Sequence, residues 1–359
     1  MRAEVSKTTD REHFEVVVVG AGQAGLAVGY YLARRGLRFV ILDAGGRIGD
    51  SWRNRWDSLL LFTPARIDGL PGMRFPGSAG LLPTKDAMAD YLDTYAKRFN
   101  LPVRSGVVVG GLDRNDRHFV LTVGGPQIHA DQVVVCTSAN QVPKVPTFAK
   151  ELDPEIVQLS AAQYRNPSAL KHGDVLVVGA GNSGAEIALE AAKDHQTWLS
   201  GRSTGRVSPA VFSRPFWWLA SNLITRDTPV GRKIVSRAAG RGAPWLRIRP
   251  NDIAAAGVRR VGKVTGVEGG KPRLEDGRVL DVSNVVWCTG FTHDFGWIHL
   301  PVFDERGYPL HVRGILESQP GAGLYFVGLP FLYGFTSALV GGIGRDAEYV
   351  TNQVTRGAR

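Results

Sequence analysis

Two stretches, VVVVGAGQAG (Val16–Gly25) and VLVVGAGNSG (Val175–Gly184), decide how this chain folds. Each is an apolar run, then G-x-G-x-x-G, then a helix-favouring stretch (LAVGYYLARRG in the first, AEIALEAAKD in the second). That order predicts strand, tight turn and helix, the context in which the motif binds a dinucleotide. Gly20 and Gly179 permit the turn, and Gly22 and Gly181 let the backbone approach a pyrophosphate. Gly25 and Gly184 let helix pack closely on strand, with the pyrophosphate at the positive helix N-terminus. One such motif is weak evidence. Two in the same context predict a chain that handles two dinucleotides.

A chain of 359 residues exceeds the usual single hydrophobic core, so two domains are expected. Its 43% apolar and 21% charged residues are those of a globular protein. No apolar run reaches the ~18 residues of a membrane span. The polar start, MRAEVSKTTDREHFE, is not read as a secretion signal. Cys136 and Cys288 form no C-x-x-C pair and read as small buried residues, which suits a reducing cytoplasm. No metal-ligand spacing is apparent, and no metal is expected. The net charge of +10 is concentrated between Arg202 and Arg273, where 15 Lys or Arg face three acids. Such a stretch can attract a polyphosphate cofactor, an anionic substrate, a membrane surface in peripheral contact, or nucleic acid. No nucleic-acid motif accompanies it, so nucleic acid is not expected.

After the first fingerprint, a strand over Arg38–Leu42 is followed by Asp43. A carboxylate there accepts hydrogen bonds from ribose hydroxyls and repels a 2′-phosphate, which points to FAD or NAD in this half. The Gly-, Pro- and Trp-rich run from Gly45 to Gly77 reads as a long functional loop, with Trp56 packing in the core. PTKDAMADYLDTYAKRFN (Pro83–Asn100) reads as a scaffold helix. VVVCTS (Val133–Ser138) and VVWCTG (Val285–Gly290) stand at corresponding places after each fingerprint, so the second copy of one plan is inserted into the first. The strand end after the second fingerprint carries Ser200, Arg202, Ser203 and Arg206 and no acid. Arginines there favour a 2′-phosphate and therefore NADPH. The expected fold is α/β with two dinucleotide-binding (Rossmann-like) domains. The boundaries are 1–168 and 275–359 for FAD, and 169–274 for NADPH with a basic aromatic insert over 208–250. In that insert Phe216, Trp217, Trp218 and Leu219 line a substrate entrance, touch a membrane surface, or pack on the flavin domain. Near the C-terminus, Leu324–Val327 reads as a strand ended by Gly328, and Ser337–Val350 as a helix.

These motifs together resemble the class B flavin monooxygenases, which include N- and S-oxygenases, plant indole-pyruvate monooxygenases and a bacterial flavoprotein branch. IGDSW (Ile48–Trp52) resembles the family's G-G-x-W, and SLLLFTPARIDGLP (Ser58–Pro71) its segment passing the flavin. CTSANQVP (Cys136–Pro143) and CTGF (Cys288–Phe291) resemble A-T-G-x4-P and A-T-G-Y. The resemblance implies FAD on Gly20, Gly22, Gly25, Asp43, Trp52, Thr63, Thr137 and Gly328. It implies NADPH on Gly179, Gly181, Ser183, Gly184, Arg202 and Thr289, with Arg206 beside them. The implied activity is NADPH-driven monooxygenation through a C4a-(hydro)peroxyflavin. Its substrates would be molecular oxygen and a small amine, sulfide or carbonyl compound. An NADPH oxidase or flavin dehydrogenase, and a non-catalytic flavin-binding protein, remain as alternatives. Two positions depart from the family pattern: Ser160 stands where a linker histidine is usual, and Ser138 replaces the glycine of the first A-T-G. The first departure implies poorly coupled oxygenation. Thr63, Ser160 and Tyr164 are the side chains offered for catalysis, since the cofactors carry the reaction.

Overall fold

The computed structural model describes residues 12–115, 118–138, 140–238, 244–316 and 322–357. The residues before Glu12, and 239–243 of the basic insert, lie outside them. The chain opens with β1 (Glu12–Val19), α1 (Gln23–Arg34) and β2 (Phe39–Asp43), a unit whose valines and leucines are buried on both faces. The long loop that follows contains one short helix, α2 (Asp50–Arg53), before α3 (Lys85–Arg98). Thr84 caps α3 by accepting from the Ala87 N–H at 3.1 Å, and Met88, Leu92 and Tyr95 are buried beneath it. β3 (Val103–Ser105) is next, then the hairpin β4 (Gly111–Arg114) and β5 (Phe119–Thr122), then β6 (Ile128–Val135). A short β7 (Val142–Pro143) leads through β8 (Val157–Ser160) to the second unit, β9 (Val175–Val178), α4 (Asn182–Ala191) and β10 (Thr197–Ser200). The insert supplies α5 (Arg214–Leu223) and α6 (Pro229–Ala238), and α7 (Pro250–Ala255) follows at its end. β11 (Arg259–Val261) follows, then the hairpin β12 (Val264–Glu268) and β13 (Lys271–Leu274), then β14 (Asn284–Trp287). The chain ends through β15 (Phe291–Thr292), β16 (His311–Val312), β17 (Ile315–Leu316), β18 (Leu324–Phe326) and α8 (Ile343–Gly357).

Two sheets organise these elements. The first runs β16-β17-β18-β6-β1-β2-β3, with β5 also pairing β6. The second runs β11-β10-β9-β14-β8, all parallel. In both, the strand before the glycine turn is flanked by the strand that follows its helix and by one that returns much later. β18 lies parallel to β6, so the C-terminal segment completes the first sheet after the second has been built.

Strand pairing moves both expected boundaries. β8 and β14 fall inside the stretches assigned by sequence to the first domain, yet they pair with each other, and β14 pairs with β9. The cause is that β14 is the counterpart of β6, a fully buried strand that needs neighbours on both sides. The C-terminal helix also begins later than expected. Ser337 sits in a turn where its hydroxyl accepts from Tyr333 N and Gly334 N, both at 3.0 Å, and α8 starts at Ile343. Ser138 keeps the left-handed backbone of the glycine it replaces, with φ +66°, at a cost of about 1–2 kcal/mol.

Candidate functional site

The two glycine turns are built alike, atom for atom. A Cβ on Gly20 would lie 2.9 Å from the Cys136 carbonyl oxygen, and one on Gly179 would lie 2.3 Å from that of Cys288. A Cβ on Gly25 or Gly184 would lie 1.8 Å from the carbonyl oxygen of Gly20 or Gly179. The first and third glycines are therefore demanded by the protein itself. The middle ones are not: a Cβ on Gly22 or Gly181 meets nothing within 4 Å. That space faces the N-termini of α1 and α4, which have no side-chain cap and no acid in the first turn. Their amide groups and helix dipole fit a pyrophosphate, so the cradle suits a bound dinucleotide in both halves.

Beyond the turns the halves diverge. In the first, Gly20 N donates to Leu42 O at 2.7 Å, and the next residue, Asp43, accepts from Ala21 N at 2.6 Å and Gly45 N at 2.8 Å. Its carboxylate is thus held at the rim of the turn, where ribose hydroxyls would lie. In the second, Gly179 N donates to Ser200 O at 2.9 Å, so the residue in Asp43's place is Gly201. Gly201 has φ +128°, and a Cβ there would approach Ala180 N at 3.1 Å. The carboxylate is gone and cations surround the gap. Arg202 and Arg206 are exposed on the following loop, and Arg260 donates from β11 to Gly201 O at 2.9 Å. Burial pushes the Arg260 guanidinium down from its ordinary pKa. Sequence reading found Arg202 and Arg206 but missed Arg260, because only the β10–β11 pairing brings it there.

The second turn is also closed from the insert. The Trp245 indole N–H donates to Ala180 O at 2.9 Å, and Asn182 bonds Pro244 O and Leu246 N, both at 3.1 Å. Arg247 pairs with the buried Glu186 at 3.0 Å, offsetting the burial that raises the carboxyl's pKa.

The remaining predicted residues are placed as follows. Trp52 is half-buried against the main core, and Trp56 is inside it. Gly328, with φ +88°, lets the chain pass α1, since a Cβ would meet that of Ala24 at 3.0 Å. Thr137 accepts from the Gln141 amide at 3.2 Å, and Thr289 donates to Lys144 O. Ser183 is half-buried in the first turn of α4. Thr63 is buried and donates to Asp68 Oδ1 at 2.5 Å. Burial raises the Asp68 carboxyl to about 7, with the Thr63 bond opposing. Sequence reading passed over Asp68, a buried acid poised near neutrality. Ser160 is buried, and its hydroxyl and its N–H both donate to Gln163 Oε1, at 2.8 and 2.9 Å. Tyr164 is fully buried with its hydroxyl towards Glu190, and burial raises its pKa. Neither of these two is positioned at the surface of a cleft. Burial also raises both thiols, that of Cys288 to about 12, so neither is a nucleophile at neutral pH.

A groove of about 360 Å³ lies between α5 and the first domain, lined by Arg66, Ile67, Trp217, Trp218, Ser221 and Gly341 among others. Trp217 is half-buried there and contacts Phe212, whereas Phe216, Trp218 and Leu219 are exposed. No helix among the described residues is long and apolar enough to cross a membrane.

Known proteins share this arrangement. The profile of the family described as pyridine nucleotide-disulphide oxidoreductase matches residues 17–211. A Geobacillus kaustophilus protein named as a CzcO-like oxidoreductase is 39% identical over 343 residues, 95% of this chain and 98% of its own length. The rice (Oryza sativa subsp. japonica) indole-3-pyruvate monooxygenase YUCCA4 is 35% identical over 95% of this chain and 87% of its own. The solved structure of a flavin-containing monooxygenase from Stenotrophomonas maltophilia superposes with a TM-score of 0.79. It is 26% identical, over 96% of this chain and 99% of its own.

Two predictions follow from this geometry. Gly22→Ala should leave the melting temperature of the cofactor-free protein unchanged and weaken FAD binding at least tenfold, because its methyl enters space that no protein atom fills. Gly25→Ala should do the reverse and destabilise the fold by several kcal/mol, because its methyl meets the Gly20 carbonyl. Thermal unfolding and flavin titration of both variants check the contrast.

The second concerns Asp68, whose folded-state pKa lies near 7 against an ordinary 3.8. Between those values the folded state binds more protons, so the group's penalty is absent below about pH 4 and complete above about pH 7. Asp68→Asn should stabilise the cofactor-free protein at pH 8 by an amount on the order of 1–4 kcal/mol, with the gain fading towards pH 4. Denaturant titrations at the two pH values check it; a gain that is flat with pH would show that the carboxyl ionises normally.

Proposed function

Since the chain belongs to the class B flavin monooxygenases, within the pyridine nucleotide-disulphide oxidoreductase family, and is an FAD- and NADPH-dependent enzyme, we propose the following division of labour. The first glycine turn and Asp43 hold FAD, and the second turn with Arg202, Arg206 and Arg260 holds NADPH. The substrate is a small soft nucleophile, an amine or sulfide, or a carbonyl compound. One oxygen atom of O₂ enters it and the other leaves as water, at the expense of one NADPH. When bound, FAD supplies the hydride acceptor and the oxygen activation. The chain's own residues bind, orient and exclude water.

One observation carries this reading. Two uncapped helix N-termini each face a space that only a ligand requires, and their rims differ by one carboxylate. Asp43 accepts ribose hydroxyls in the first half. Gly201 removes the matching acid in the second, so a 2′-phosphate meets cations and no opposing charge. The groove beside Trp217 has the volume of a small-molecule site and walls that mix Trp217, Trp218 and Ile67 with Ser221, Asn222 and Arg66, and we assign the organic substrate to it. The two unpaired thiols, Cys136 buried and Cys288 half-buried, suit a reducing compartment.

Arg202→Ala should raise the KM for NADPH roughly tenfold and leave that for NADH nearly unchanged, as expected for loss of a charge-assisted bond of about 1.5–3 kcal/mol. Steady-state kinetics with both coenzymes test it, and equal losses would assign the arginine to the fold.

Coupling is the second test. Ser160 and Gln163 satisfy each other inside the linker turn, so that turn offers no imidazole towards the reaction centre. With a thioether or amine present, we expect NADPH oxidation to release substantial hydrogen peroxide beside the oxygenated product. Peroxide and product measured per NADPH consumed decide the matter, and near-complete coupling would show that the linker works without the histidine.

A further inference from the structure

His13, His118 and Asp131 are far apart in the sequence, and strand pairing brings them together. In the β5–β6 ladder Phe119 faces Ala130, which sets His118 opposite Asp131. In the β1–β6 ladder His13 faces His129, two residues before Asp131, and residues two apart share a face of the pleat. The outcome is one tight cluster. His13 Nε2 and His118 Nδ1 each lie 3.0 Å from the same oxygen, Asp131 Oδ1. The two rings meet edge to face at 5.0 Å between centroids. The three ligand atoms all lie within 4.8 Å of one another. The side chains are 37–43% exposed, so an ion has a path in and a water a place to complete its shell.

We propose that His13 Nε2, His118 Nδ1 and Asp131 Oδ1 form a site for a divalent transition-metal ion of the zinc type. Two imidazoles and a carboxylate are the donors such an ion takes, with bonds of about 2.0–2.2 Å. Tetrahedral ligands at that radius stand about 3.3 Å apart, so each present N···O separation needs to open by only a few tenths of an ångström. Each imidazole now directs a ring nitrogen at one shared oxygen, and the ion would take the place of the intervening protons. The ion would join β1, β6 and His118, the residue just before β5.

Its place in the fold says what it would do. His13 lies six residues before Val19, roughly 20 Å along β1 from the glycine turn. The site is therefore a clamp at the far end of the first sheet's central strands, and it stands apart from hydride transfer.

The test uses tag-free, FAD-loaded protein freed of metal and titrated with Zn²⁺ by calorimetry. We expect one ion per chain with micromolar or tighter affinity, and a melting temperature raised by roughly 2–5 °C at hundredfold excess over Kd. His13→Ala and His118→Ala should each weaken that binding at least tenfold and abolish the thermal shift, while NADPH oxidation stays as in the parent. Asp131→Asn, which preserves the side chain's shape, gives the same readout if either histidine variant fails to retain flavin. No saturable binding below about 1 mM, or binding unchanged in the variants, would overturn the site.

Discussion

Each half of the molecule depends on one steric contact, the approach of a helix to the carbonyl oxygen of the turn before it. At Gly25 and again at Gly184 that oxygen occupies the place of a side chain. Because helix and strand are that close, the first helical turn points its unpaired amides across the strand end. The same closeness fixes the returning strand, since Cys136 N donates to Val19 O and Cys288 N to Val178 O, at 2.8 and 2.7 Å. One packing demand thus sets the turn, the helix direction and the third strand. The middle glycine satisfies no such demand, and its openness is the mark of a ligand.

The difference between the halves is a deletion more than an addition. With the register fixed by Gly20 N to Leu42 O and Gly179 N to Ser200 O, Asp43 and Gly201 are structural equivalents. An acid at the second position would sit within reach of the phosphate that distinguishes NADPH from NADH, and the repulsion would be strong in a partly desolvated site. Positive φ at Gly201 keeps the position free of any side chain without strain. Basic residues near the gap then act on a site already cleared of its opposing charge.

The local parts of this design were legible in the sequence, because they are set by neighbours a few residues away. The turns, the strands beside them and the buried Cys136 follow from apolar runs, whereas Cys288 is only half-buried. What was not legible is set by pairing between distant strands. β8 and β14 look like any short apolar run, and only the register of β14 with β9 and of β8 with β14 assigns them to the second sheet. Arg260 reaches Gly201, and Trp245 reaches Ala180, across 59 and 65 residues respectively. Asp68 was hidden for another reason: an acid in a loop reads as solvated, and only its burial against Thr63 changes its chemistry. Helix α8 starts at Ile343 and not at Ser337, because the Gly341–Gly342 segment is held in another conformation. In fact a Cβ on Gly341 would lie 1.9 Å from Ile67 O, so that turn is shaped by contact with another loop.

The insert shows how far chain order and physical attachment can part. In sequence it belongs to the second fingerprint, yet its first half is fastened to the first domain. Arg66 donates to Phe212 O, Arg226 N to Tyr333 O, and Phe335 N to Ile224 O, at 2.8, 2.8 and 2.9 Å. Arg345 of α8 donates to Ser221 O at 2.7 Å, and its neighbour Asp346 is fully buried facing Arg345, Arg313 and Ser337. Arg313 in turn stacks on Tyr333 and Tyr349, with its Cζ 3.9 and 3.8 Å from the ring centres. Removing one member of such a buried charged cluster is costly, and through the Arg345 bond to Ser221 O it ties α5 to α8. The second half of the insert, through Trp245 and Arg247, grips the other glycine turn and α4. One segment therefore spans both cofactor domains, and the groove beside Trp217 lies against its first-domain anchor. The wall that would hold a substrate stays with the flavin domain.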